Sequence, residues 1–99
     1  MQNEKSQLDI RSKPIEKLLR YEARRLAILI SNVVEGQDVD MQELSLIWGT
    51  DKQWPYNKTA LLATAMKLAN MVKEHHSHKK KIYEINRQLI LDFLDSLKE

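Results

Sequence analysis

The chain has no cysteine, which excludes disulfides, thiolate nucleophiles and Cys-ligated zinc or iron–sulfur centres and suits a reducing compartment. Glycine and proline are scarce, with two of each in 99 residues, and there is no glycine-rich loop to cradle a phosphate. All four fall where helices should begin or end, so the expected class is all-α. Long hydrophobic runs are missing as well. The longest, Leu26 to Ile30, is far too short to span a bilayer, and the polar start lacks the apolar core of a signal peptide. The expectation is a soluble, cytoplasmic protein that does not engage a membrane.

What is present is a near-balance of charge, 16 basic against 14 acidic side chains, with 42% hydrophobic residues. A chain of this length should bury roughly 65% of its unfolded surface, enough for one modest core. Residues 1–12 are polar and read as a flexible N-terminal arm, leaving 13–99 as a single helical domain.

Periodicity then predicts a compact bundle of three longer helices, at about 14–35, 58–75 and 80–97, with one short helix at 41–48. In the first, Ile15, Leu18, Leu19, Leu26, Leu29, Ile30 and Val33 share one arc, while Lys13, Lys17, Arg20 and Arg24 share the opposite side. The short helix is announced by Asp40 and Glu43, spaced as a capping box, with Val39 and Leu44 as a hydrophobic staple and Gly49 as a left-handed stop. Leu61, Leu62, Ala65, Leu68, Ala69 and Val72 form the third seam, and Ile82, Ile85, Leu89, Ile90, Phe93 and Leu97 the fourth. Between them Lys73–Lys81 has no apolar residue, and a turn near Ser77 is favoured over one continuous rod about 60 Å long.

The sign of the charge alternates along the chain: seven bases against four acids in 1–25, two against five in 26–60, five against one in 61–81. If the first and third helices run antiparallel, the basic stripe and Lys79, Lys80 and Lys81 would share an anion-attracting rim. Solvation of helix faces explains the same charges without a ligand. Base reading also lacks a reader in this run, since no aromatic is interleaved and no Asn, Gln and Arg cluster suits base edges. A helix-turn-helix across 41–48 and the following helix fits poorly. Gly49 suits its turn, but Trp54-Pro55-Tyr56 lies where the second helix should be under way, and the linker exceeds the usual three or four residues.

His75, His76 and His78 resemble metal ligands, but adjacent helical residues diverge by 100° and no HExxH spacing exists, so no metal or other cofactor is expected and the three stand only as weak candidates. No serine sits in a nucleophile-elbow setting and the acidic pairs suit capping, so catalysis is not expected. Glu22 and Asn86 fall inside apolar arcs, which requires partners for them or an interface that uses them to set register. Tyr21, Ile28, Met71 and Leu91 fall outside the arcs, consistent with a second copy covering some faces. Trp48 should plug the core, while Trp54 and Tyr56 flank the loop as candidate interface residues. The sequence therefore points to a small non-enzymatic regulator or adaptor, self-associating as a homodimer and binding a protein through Trp54, Tyr56, Tyr21 and Ile28. The alternative is a nucleic-acid-binding accessory protein using Lys13, Lys17, Arg20, Arg24 and Lys79–Lys81.

Overall fold

Residues 13–98 are described by a computed structural model. The expected arm, 1–12, lies outside the described residues. Among the described residues, five helices and three strands follow in the order α1 (Lys13–Tyr21), α2 (Ala23–Ile30), β1 (Asp38–Asp40), α3 (Met41–Trp48), α4 (Tyr56–Leu68), β2 (Val72–Ser77), β3 (Lys80–Ile85) and α5 (Arg87–Ser96). The expected all-α bundle is therefore wrong. A three-stranded antiparallel sheet, in the order β1-β3-β2, replaces the loop at 38–40, the end of the third helix and the start of the fourth. Among the described residues no helix is long and apolar enough to cross a membrane.

Each departure has a local cause. The first helix is broken at Glu22, which leaves helical geometry but lets its carbonyl accept from Arg25 and Leu26, so α2 continues on from α1. It stops at Ile30, not 35: the Asn32 N–H turns to the Leu29 carbonyl, and the Asn32 side-chain amide takes the Ile28 carbonyl that this N–H would have used. The third helix was expected to reach His75 but ends at Leu68. Asn70 takes a left-handed φ of 65°, its N–H donates to the Lys67 carbonyl, and the Met71 N–H donates to that of Met66. Those two bonds are a Schellman cap with asparagine in the usual glycine place. It also starts two residues early, at Tyr56 and not Lys58, with Pro55 and not Asn57 before it.

The fourth helix begins only at Arg87. Asn86, expected inside its apolar arc, is an exposed N-cap whose Oδ1 accepts from the Leu89 N–H at 3.2 Å, and Glu35 caps the same end through the Gln88 N–H at 3.1 Å. The short helix occupies the expected residues, and both halves of its capping box are made: Glu43 N–H to Asp40 at 2.9 Å and Asp40 N–H to Glu43 at 2.8 Å.

Register puts Val39, Tyr83 and Glu74 in one row across the sheet and Val72 opposite Ile85, and these face the helices. Val39, Val72, Tyr83 and Ile85 are buried there with Leu26, Leu29, Trp48, Leu62, Met66 and Ile90. Met71, expected off the core arc, is buried too, because the cap turns it inward beside Met66. The other sheet face carries the rows Asp38, Glu84, Lys73 and Asp40, Ile82, His75.

Candidate nucleic-acid interface

The stretch 49–55 joins α3 to α4 and is fixed by the aromatic and hydroxyl side chains around it. The Trp54 N–H donates to the Ser45 carbonyl at 3.0 Å, the buried Ser45 hydroxyl donates to Thr59 Oγ1 at 2.9 Å, and Thr59 in turn reaches the Pro55 carbonyl at 3.0 Å. Trp48 is fully buried, its indole N–H donates to the Arg25 carbonyl at 2.9 Å, and its ring meets Trp54 edge-on at 5.6 Å. The Arg25 guanidinium lies 4.0 Å over the Trp54 ring, donates to the Trp48 carbonyl and pairs with Glu22 at 3.2 Å. Glu22 thus has its partner inside the protomer. Gly49 is needed for a different reason from the one expected: its φ is −86°, but a Cβ there would sit 1.9 Å from the Lys52 carbonyl oxygen.

This clamp presents α4 in a fixed pose against α3. On its outer side Tyr56 (71% exposed), Asn57, Lys58, Leu61 (59%), Thr64 and Leu68 are uncovered, while Thr59, Leu62, Ala63, Ala65 and Met66 are buried. Trp54 is only partly exposed, held under Arg25. Tyr21 is 83% exposed on α1 and Ile28 is half-buried on α2, so the four candidate partner residues lie on several elements and share no face set by one helix.

Strands β2 and β3 form a hairpin closed by two residues, since Ser77 pairs with Lys80. His78 and Lys79 have φ of 53° and 66°, the two positive values a type I′ turn requires. Neither is the Asn or Gly that such turns favour. The tip holds His76, His78, Lys79, Lys80 and Lys81, all exposed. Lys80 bonds Asp40 at 3.0 Å, which ties the hairpin to the start of α3, and Lys81 stands 3.9 Å from Glu74, which Lys67 of α4 also meets at 3.1 Å. Among the described residues Lys79 makes no ion pair.

Two electrostatic effects follow from this packing. The Glu43 N–H, and then Lys80, hold the Asp40 carboxyl below its ordinary value, and Asp40 raises Lys80 in return. Burial, then Glu74 and Tyr56, push the Tyr83 phenol up to about 12.

Of the basic residues expected to converge, Lys79, Lys80 and Lys81 lie in or beside the hairpin turn, while Lys13, Lys17, Arg20 and Arg24 are spread along α1 and the start of α2. Glu16 and Leu19 of α1 line a groove with Ala69, just past the C-terminal end of α4, whereas Arg25, beside Arg24, lies over Trp54 near the start of α4, so the stripe runs from one end of α4 toward the other. The hairpin tip is carried to where Asp40 opens α3 and Met41, Trp54 and Tyr56 meet around the start of α4. The three histidines diverge: His75 and His76 lie on opposite faces of β2 and His78 is in the turn. Leu61 and Leu68, expected in the inward seam, are uncovered instead, together with Asn57, Lys58 and Thr64, which sequence reasoning did not offer as site residues. Comparison with family models, curated proteins and solved structures found no match.

Proposed function

We propose that the protein binds duplex nucleic acid, with the N-terminal half of α4 in the major groove and the hairpin tip on the adjoining backbone. The reading rests on one juxtaposition: the exposed start of a helix braced by the helix before it, and a cationic β-turn delivered to the same end of the molecule. Two helices so braced are the parts of a helix-turn-helix unit, whose second helix reads base edges with its first residues. The connection of seven residues, 49–55, is longer than usual, and the tryptophan clamp supplies the rigidity that a short turn otherwise gives. A helix of 13 residues is about 20 Å long and fits a groove about 12 Å wide.

Roles follow from chemistry. Asn57 suits the paired donor and acceptor of adenine, Leu61 and the Thr64 methyl suit a thymine methyl, and Lys58 suits guanine or phosphate. Lys79, Lys80 and Lys81 neutralise phosphates. The left-handed backbone at His78 and Lys79 supports this, because strain kept at an exposed turn marks side chains retained for something other than folding. A cytoplasmic setting belongs to the same proposal.

The test is duplex binding by fluorescence anisotropy across salt concentrations. Each phosphate neutralised contributes about −0.9 to the slope of log K against log salt, so replacing the three tip lysines by glutamine should flatten the slope by about 2.7. Unchanged binding would refute the assignment. A second reading is favoured by the exposure of Leu61 and Leu68 on one face of α4. In it α4 docks another protein or a second copy of the chain; light scattering that shows a dimer dissociated by Leu61→Ala would support it.

A further inference from the structure

We propose that Asp38, His75 and Glu84 form a binding site for a divalent transition-metal ion, with zinc the best match to the donors, on the outer face of the sheet. The three come from β1, β2 and β3 in turn. Asp38 pairs directly across from Glu84, and His75 leans over from β2, so one potential ligand atom from each lies within 4.8 Å of the other two. The His75 Nε2 to Asp38 Oδ1 separation is 3.5 Å. Two ligands each about 2.1 Å from a tetrahedral zinc stand about 3.4 Å apart, so this pair already has the spacing of two zinc ligands. Glu84, also exposed, already has a carboxylate oxygen within 4.8 Å of both.

The donor set selects the ion. One imidazole and two carboxylates suit zinc with water in the fourth position, whereas calcium and magnesium are bound by oxygen ligands alone. Strand pairing over the buried Val39, Tyr83 and Ile85 fixes the backbone of all three ligands, so little ordering remains for the ion to impose. Lys73 stands opposite Glu84 on this face and competes for that carboxylate. His76, on the other face, and His78, in the turn, are excluded from the site.

Bound metal would tie β2, and with it the hairpin, to β1, the strand that leads into α3. That consequence stands whether or not the chain binds nucleic acid. The experiment is isothermal titration of the full chain with zinc chloride near pH 7.5, repeated on His75→Gln, Asp38→Asn and the double variant His76→Gln/His78→Gln. Circular dichroism confirms that each variant, altered only at exposed residues, is folded. One ion per chain should bind, His75→Gln and Asp38→Asn should each weaken binding more than about tenfold, and the double variant should bind as the parent does. Zinc at about 100 times its dissociation constant should also raise the folded-to-unfolded ratio about 100-fold. No saturable binding, or binding lost in the double variant and kept in His75→Gln, would overturn the site.

Discussion

Replacing the hairpin turn His78-Lys79 by Asn-Gly should make the protein more stable and a poorer ligand for nucleic acid. Both residues hold positive φ, 53° and 66°, where a Cβ crowds the following carbonyl at a cost of roughly 1–2 kcal/mol for each ordinary residue. Glycine at 79 removes that strain but adds about 0.5–1 kcal/mol of unfolded-chain entropy, and asparagine at 78 tolerates the left-handed region. The net gain is about 1 kcal/mol, which for a domain of this size raises the melting temperature by about 4–8 °C. Calorimetry reads the shift. The same variant loses Lys79, the tip lysine with no ion pair among the described residues, so its duplex affinity should fall and its salt slope should flatten by about 0.9. A melting temperature that stays put or drops would show that the turn is not strained, and the argument that its side chains are kept for binding would fail with it.

Three further outcomes follow from the packing. Gly49→Ala should destabilise by about 2 kcal/mol in urea unfolding, because the new methyl meets the Lys52 carbonyl oxygen and the clamped loop must move. Asp40→Asn should flatten the acid side of the stability profile. The folded Asp40 carboxyl sits below its ordinary value, so its contribution is complete above about pH 4 and is lost as pH falls through its lower folded value. Tyr83 has the opposite sign: its folded value of about 12 lies above the ordinary 10, so the stability it lends is complete below about pH 10 and is lost between there and about pH 12. Spectrophotometric titration should show one phenol ionising late, and Tyr83→Phe should remove that step.

The short helix was readable because its signals are local: the capping-box pair Asp40 and Glu43 and the flanking Val39 and Leu44 fall within six residues. The sheet was not, for three separate physical reasons. Strand β1 is three residues long and reads as the lead into a helix cap, since Asp40 serves both elements. The exposed half of β2, His75-His76-Ser77, has no apolar residue to show alternation, and the turn that follows lacks the Asn-Gly that announces a hairpin. In β3, Ile82 and Ile85 match a helical seam running on into Leu89 as well as they match a strand, and only Asn86 marks the boundary. The helix ending at Leu68 could have been seen, because Asn70 is the residue after glycine best suited to a left-handed cap. The candidate surface was half-legible: the tip lysines stood out by composition, but the side chains of α4 acquire meaning only once the hairpin is known to lie beside them.

The most direct test of the central claim is chemical-shift mapping of isotopically labelled protein titrated with a short DNA duplex. Perturbations should concentrate at Tyr56–Thr64 and His76–Lys81, as one surface made of helix and hairpin. Perturbations confined to Lys13–Arg24, or none at duplex concentrations near 1 mM, well above the usual range for nonspecific binding, would contradict it.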